Sequence, residues 1–554
     1  MSLLQAAMQS GALRRPPSPP PPAEIVYTPP SLRDYQEDFV AKVRKEMRTA
    51  RAVLLVAATG AGKTVVFSYI ARQSSLKGKR VLILAHRDTL IKQASRKLRD
   101  NGVQHGIIMA GFTPHPRRLV QVASVQTLVR RVEKMKAAEK AAGDAARAAA
   151  LKAGKSEAEA ETAAVLAEQA LGFDLIVIDE AHLSAADSYK TIIDAWPKAK
   201  LLGVTGSPIR LDGKGLGLHA GGSYEVLVQG ISIKQLIARG YLVKPKYFGS
   251  KEKVDLSGVG KKGGDYDTDA LASIMDKPKI TGSAIEEYKK TCPGVPAVAW
   301  CANVAHARHV AEQFNAAGIP ALALSGEDDS AARDAALEAL SNGTLKVITF
   351  AMLLVEGVDC PAIGAVILLR PTMSLSSYLQ VIGRGLRPIY APGMPLETDE
   401  DRFAAIDAGP KGRICYVLDH CDLWKKHGFA HAEREWSLEG QVKKKGKKKK
   451  QDDEEDSGLM QCKKCWHVWE PAADDAEPKC PECGHVHKRK VRKMEHADGE
   501  LTEITEEMAE RERKNRQREV HSARTLEELE AIGAARGYSP TWARMVHQAR
   551  QRKS

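Results

Sequence analysis

Thr59-Gly60-Ala61-Gly62-Lys63-Thr64 has the residue types and spacing to hold a phosphate. The hexapeptide follows the apolar run Val53-Leu54-Leu55-Val56 and opens into Val65-Val66-Phe67-Ser68-Tyr69-Ile70, which reads as strand, glycine loop, helix. The glycines let the backbone curl so that its N–H groups point at an anion, and the helix N-terminus behind them adds partial positive charge. Lys63 would reach the β- and γ-phosphates of a nucleotide, and the Thr64 hydroxyl would hold Mg²⁺. Where the usual loop carries a further glycine, this chain has Ala57.

Asp179-Glu180-Ala181-His182 supplies the second chemical group, at the end of the apolar run Leu175-Ile176-Val177-Ile178. Adjacent carboxylates at a strand tip are costly unless a cation or a proton neutralises them. Beside a phosphate loop that cation is Mg²⁺, with Asp179 holding the metal and Glu180 polarising the attacking water. A third group is Gln380-Val381-Ile382-Gly383-Arg384-Gly385-Leu386-Arg387. On a helix, Arg384 and Arg387 would share a face, and two guanidiniums so placed repel unless they meet an anion. A γ-phosphate shared across a domain cleft would satisfy both. Upstream of the loop, the Gln36 amide could pair a donor and an acceptor with an adenine edge.

Cys462-Lys463-Lys464-Cys465 and Cys480-Pro481-Glu482-Cys483 form the fourth group. Two such knuckles read as a closed, structural, tetrahedral Zn²⁺ site of the ribbon type. His467, His485 and His487 lie nearby as surplus, surface residues.

The elements that must position these groups alternate. Val81-Leu82-Ile83-Leu84-Ala85 and Leu119-Val120-Gln121-Val122-Ala123 are further buried-strand runs. They end in His86-Arg87 and Ser124-Val125-Gln126-Thr127, placed where an open α/β sheet meets its ligands. Leu201-Leu202-Gly203-Val204 delivers Thr205-Gly206-Ser207. Residues 131–170, rich in Lys, Glu and Ala, predict one or two exposed helices inserted between strands. A second set of strands is expected at 297–300, 321–324, 347–349, 365–369 and 414–418, with helices at 304–316 and 330–341 between. This set has no phosphate loop of its own, but it carries Glu356-Gly357-Val358-Asp359 after a strand.

The expected division is a Pro-rich tail over 1–30, a nucleotide-binding domain over 31–238 and a second α/β domain over 239–438. A charged linker over 439–460, the cysteine module over 461–487 and a basic helical tail over 488–554 follow. Lys+Arg 83 against Asp+Glu 69 gives +14 over 554 residues, which favours a polyanionic partner. At 5% aromatic residues, the grip on nucleic acid should rest on phosphates more than on base stacking. No apolar run is long enough to cross a membrane, and no signal-peptide core precedes the prolines. Five scattered cysteines, Cys292, Cys301, Cys360, Cys415 and Cys421, suit a reducing, cytoplasmic compartment.

Taken in order, Ala58 through Thr64, Asp179-Glu180-Ala181-His182, Thr205-Gly206-Ser207 and Gln380 through Arg387 resemble motifs I, II, III and VI of superfamily 2 helicases. The resemblance covers about residues 31–435. The tetrad and the arginine spacing fit the DEAD/DEAH-box group that includes type III restriction subunits and UvrB-like motors. The cysteine module after the second domain is most similar to RadD-type DNA repair helicases. The resemblance implies two tandem RecA-like doubly wound parallel-sheet domains, then a four-cysteine zinc ribbon and a helical tail. It implies ATP as substrate with Mg²⁺, and Zn²⁺ in the ribbon. Gln36 would read adenine, and His182, Thr205, Ser207 and Gln380 would couple hydrolysis to the cleft. Glu356, Gly357 and Asp359 match motif V, and Arg384 and Arg387 match arginine fingers. The chain departs from the family pattern at Ala57 and at Thr205-Gly206-Ser207, where Ser/Thr-Ala-Thr is commoner.

The expected activity is an ATP-dependent motor on nucleic acid, DNA in preference to RNA. The C-terminal tail would be a docking or nucleic-acid-binding element, open to a repair or replication protein. An RNA helicase, a restriction-system motor and a zinc-dependent scaffold with a vestigial ATPase remain as rivals.

Overall fold

The computed structural model describes residues 32–440 apart from 211, 251–253, 257, 263 and 352–359, residues 459–487 apart from 473, 474 and 476, and short stretches within 519–547. It holds two parallel-rich sheets within one unit that ends at Lys488; Arg489–Ser554 form a second unit.

The first sheet contains β1 (Ala52–Val56), β2 (Val81–Ala85), β3 (His105–Ile108), β4 (Val120–Ser124), β5 (Leu175–Asp179), β6 (Lys200–Thr205) and β7 (Val226–Gln229). All its pairings are parallel, in the order β3-β4-β2-β5-β6-β1-β7. Its central strands are buried along their whole length, because helices cover both faces; this is why they read as unbroken apolar runs. The order sets β6 between β1 and β5, so the loops after these three strands open side by side.

The second sheet contains β8 (Lys244–Gly249), β11 (Ala297–Trp300), β12 (Ala321–Leu324), β13 (Val347–Phe350), β14 (Ala365–Leu368) and β15 (Ile414–Asp419), after a short β9–β10 hairpin (Lys261–Lys262 with Asp265–Tyr266). These six run parallel as β12-β13-β11-β14-β15-β8. The expected helices Val304–Ala316 and Ser330–Ser341 are present. One continuous apolar core runs from the first sheet through Leu236, Leu242 and Val243 into the second.

Three features differ from the sequence expectation. The cysteine module is no separate bead: β16 (Met460–Gln461) and β17 (His467–Trp469) form a hairpin, and β17 pairs antiparallel with β8 through His467↔Phe248 and Val468↔Tyr247. The open edge of β8 offers unpaired N–H and C=O groups that the hairpin satisfies. Next, the end of the second domain returns to the first. Gln229 Nε2 donates to Arg434 O at 3.2 Å, Gly217 N donates to Leu438 O at 3.0 Å, and Trp436 packs against apolar clusters on both faces of the first sheet. Finally, the insert, helices Val132–Lys152 and Glu157–Leu171, is fastened at its first half. The buried Glu139 carboxylate accepts from Trp196 Nε1 at 2.7 Å.

Among the described residues no helix is long and apolar enough to cross a membrane. The polyproline run, the Lys443–Asp456 charge blocks and Glu356-Gly357-Val358-Asp359 lie outside the described residues, as do 488–518 and Trp542. In the second unit, helix Leu526–Ala535 is described, with Leu529, Ala523 and Ala543 in a small apolar cluster.

Candidate active site

β1 ends at Val56, and the chain turns through Gly60 (φ 90°) and Gly62 (φ 79°) into helix Lys63–Ser75. Gly62 occupies the left-handed N-cap position, where a side chain would be strained and would strike Gln36. Gln36 braces this loop: its Nε2 donates to Ala61 O at 3.0 Å, and its Oε1 accepts from Arg33 N at 3.1 Å. One N–H and one lone pair of the amide are thereby engaged by the protein; an adenine edge would use the others.

β5 carries Asp179 and Glu180 to the same rim. Glu180 adopts φ 50°, ψ 53°, a left-handed conformation uncommon for glutamate. Asp179 Oδ1 accepts from Glu180 N at 3.0 Å. His182 Nδ1 lies 3.4 Å from Glu180 Oε2 and 3.3 Å from Thr205 Oγ1. Thr205 Oγ1 in turn donates to Ser207 O at 2.9 Å. The carboxylate pair, the histidine and the threonine at the end of β6 thus form one chain of polar contacts.

The two buried carboxyls are pushed apart. Burial and the neighbouring Glu180 charge raise Asp179. Burial also works to raise Glu180, but His182, Lys63 and Arg384 outweigh it and hold Glu180 below the usual carboxylate range. The proton that Asp179 thereby retains is what a divalent cation would displace. Two carboxylates and the Thr64 hydroxyl form an all-oxygen donor set at a phosphate loop, which fits Mg²⁺.

Helix Leu375–Gly385, capped by Ser374, approaches from the second domain. It packs on the phosphate loop so closely that a Cβ at Gly383 would stand 2.5 Å from Thr59 Cγ2. The helix ends at Gly385, so Arg387 follows it and shares no helical face with Arg384; both nonetheless line one cavity. That cavity, about 360 Å³, is walled by Thr59, Gly60, Gly62, Lys63, Thr64, Asp179 and Glu180 on one side and Gln380, Arg384 and Arg387 on the other. A larger cavity of about 860 Å³ lies by Phe173, Trp196 and Lys200, at the end of the first sheet away from the phosphate loop.

Arg33, Tyr241 and Tyr390 also line the nucleotide cavity. The Arg33 guanidinium lies 4.3 Å from the Tyr241 ring centroid, and Tyr390 Oη donates to Gly240 O at 2.7 Å. They come from three separate elements, with no spacing in the sequence to link them. Gly357 and Asp359 lie outside the described residues.

The cysteines converge as expected: the sulfurs of Cys462, Cys465, Cys480 and Cys483 lie within 4.8 Å of one another. Cys462–Cys483 and Cys465–Cys480 are each 3.6 Å apart. This is too far for a disulfide and close to the ~3.8 Å of a tetrahedron with ~2.3 Å metal–sulfur bonds. Burial opposes ionisation of Cys462, but the backbone amides of Cys465 and Lys464 pull its thiol below its ordinary value. The cluster is thus able to bind a metal ion. Contrary to the surface reading, His467 and His487 are buried, and His467 Nδ1 lies 3.1 Å from Tyr247 O, part of the docking onto β8.

Residues 30–210 match the family model described as type III restriction enzyme, res subunit, and residues 283–388 match the helicase conserved C-terminal domain. A 51.5 kDa protein of a Lactococcus phage is 26% identical over 412 residues, 74% of each chain. A Saccharomyces cerevisiae protein named as an ATP-dependent helicase, IRC3, is 29% identical over 381 residues, 65% of this chain and 50% of its own. An Escherichia coli type I restriction enzyme EcoAI endonuclease subunit is 26% identical over 394 residues, 64% of this chain and 44% of its own. This chain therefore spans half or less of the yeast and E. coli proteins. With one matched domain supplying the loop and carboxylates and the other the arginines that close on them, the chain carries the two domains of a superfamily 2 helicase of the restriction-subunit type.

Proposed function

We propose that this protein is a DNA motor that hydrolyses ATP in the cleft between its two sheets. The observation that carries this reading is the closed contact of Thr59 with Gly383, which brings Arg384 and Arg387 to the cavity holding Lys63 and Glu180. Lys63 and the loop amides hold the triphosphate, Glu180 orients and polarises the attacking water, and Arg384 and Arg387 take up charge that develops on the γ-phosphate. Thr64 and Asp179 would hold Mg²⁺, which supplies charge neutralisation between the phosphates. His182, bridging Glu180 and Thr205, relays loss of the γ-phosphate to the end of β6, and Gln380 does so to the arginine helix. Gln36 reads adenine with the hydrogen-bonding capacity that the loop leaves it.

A nucleic-acid path across both domains is supported by a cleft of about 290 Å³ shared by Arg87 of the first domain and Asn303 and Ser325 of the second. The net charge of +14 and restriction-enzyme relatives favour DNA. The four-cysteine cluster would hold Zn²⁺ as a structural ion, and the C-terminal unit would take a repair or replication protein. Buried lone cysteines favour the cytoplasm.

The test is steady-state ATP turnover of the wild type and Glu180→Gln with no nucleic acid, single-stranded DNA, duplex DNA and RNA. DNA-stimulated turnover that is lost in Glu180→Gln is the expected result. Stimulation by RNA alone would overturn the DNA assignment. The restriction-subunit match favours a second reading, a motor within a restriction system. ATP-dependent DNA cleavage in the presence of a co-purifying nuclease would establish it.

A further inference from the structure

The arginine helix ends in a place where its carbonyls need partners. The last C=O groups of a helix lack intrahelical donors and carry partial negative charge. Leu386 O is taken by Val243 N at 2.8 Å. The carbonyls on either side of it are taken by one side chain from a distant loop: Lys411 Nζ donates to Gly385 O at 2.7 Å and to Arg387 O. Its third donor goes to Pro361 O at 3.1 Å. An ammonium has three N–H groups and no acceptor, so all of its donors are used. Lys411 sits between helix Asp399–Asp407 and β15, outside every motif.

We propose that Lys411 is a positioning residue for the two arginines, clamping the carbonyl end of their helix so that Arg384 and Arg387 stand at the nucleotide cavity. Arg387 lies beyond the helix end, so helical geometry does not aim its side chain. The clamp on its own carbonyl, and on the carbonyl two residues before, supplies that constraint. The approach is tight on the other side as well: a Cβ at Gly385 would stand 2.5 Å from Cys415 Sγ, so the helix end cannot relax toward β15. A cation is the fitting clamp, since it meets both the helix dipole and three carbonyl oxygens at once. Lys411 does not itself line the cavity; it holds the backbone carbonyls of Pro361 and Arg387, which do, and acts through the arginines.

This inference rests on the reading of Arg384 and Arg387 as γ-phosphate ligands, so the experiment carries controls for that reading. Lys411→Met, Lys411→Gln and Lys411→Arg are compared with Lys63→Ala and Arg384→Ala for kcat and KM of ATP hydrolysis and for Tm. Lys411→Met is expected to lower kcat by roughly tenfold, as a small misplacement of catalytic groups does, with KM and Tm near wild type. Lys411→Gln, which keeps one donor group, should fall between, and Lys411→Arg should recover most of the rate. If the two control variants lose turnover while Lys411→Met and Lys411→Gln keep wild-type kcat, the clamp is overturned and the cleft stands. If kcat, KM and Tm all deteriorate together and Lys411→Arg restores none of them, the residue is merely structural and the proposal is again overturned. If the controls themselves retain full turnover, the cleft reading fails and takes the clamp with it.

Discussion

Asp179 and Glu180 are chemically near-identical, and their surroundings alone set them apart. One is raised by burial and its neighbour's charge, the other lowered by a histidine, a lysine and an arginine gathered from three elements. Other buried titratable residues act on stability instead. His306 Nδ1 accepts from Ala302 N at 3.2 Å, and the His420 ring nitrogens have no hydrogen-bond partner among the described residues. Burial pulls both imidazoles down to about 4. The ordinary value is about 6.5, so between these limits the unfolded chain binds more protons than the folded one, and stability falls as pH is lowered through that window. Each histidine contributes a slope of about 1.4 kcal/mol per pH unit there. We expect the dependence of Tm on pH below about pH 6.5 to differ between the wild type and His420→Phe, the wild type losing more stability as the pH is lowered. The same pH dependence of Tm in the wild type and in His420→Phe would show that this ring protonates without cost.

At the scale of elements, the cysteine hairpin is the least self-sufficient part. Its link to the second sheet includes two antiparallel register pairs, His467↔Phe248 and Val468↔Tyr247, the His467–Tyr247 O contact, the bond from Gly249 N to Trp466 O, burial of Val468, the Lys246–Glu482 ion pair and a hydrogen bond from Gln461 to Ser250 O. Structural zinc supplies about 10 kcal/mol of folding free energy in small modules, more than such a contact can replace. Cys480→Ser is therefore expected to release zinc and to expose residues 459–487 to protease. The parallel strands from β12 to β8 should stay folded and basal ATP turnover should persist. Zinc content at the wild-type level in Cys480→Ser would refute the four-cysteine site. Loss of the whole second domain would show instead that the hairpin is integral to the sheet.

For the whole molecule, the deciding contact is the one between domains. Gly383 is a glycine because Thr59 of the other domain occupies the space its Cβ would take. A β-branched side chain there must push the arginine helix off the phosphate loop, while Lys63, Thr64 and Gln36 keep their own surroundings. Gly383→Val should therefore reduce kcat by about 10²-fold, the scale of an ångström-sized misplacement, and leave nucleotide affinity close to wild type. Nucleotide titration alongside turnover separates the two. Loss of affinity without loss of kcat would mean that hydrolysis does not need the closed cleft.

The candidate residues of the chemistry stand out without a fold. Lys63, Thr64, Asp179, Glu180 and the cysteine pairs are marked by type, by local spacing and by the apolar runs before them. Buried parallel strands must be apolar throughout, so most strand positions were legible for the same reason. What linear order could not state is which strand ends become neighbours. Only the sheet order sets Thr205 between the phosphate loop and the carboxylates, and only packing sets Gly383 on Thr59. The same holds for the docking of the hairpin on β8, the return of Trp436 to the first sheet and the reach of Lys411 to the end of the arginine helix. Short hydrophobic periodicities encode burial and direction. Contacts between residues far apart in the chain leave no local pattern, because they are selected by complementarity of surfaces that exist only after the sheets have formed.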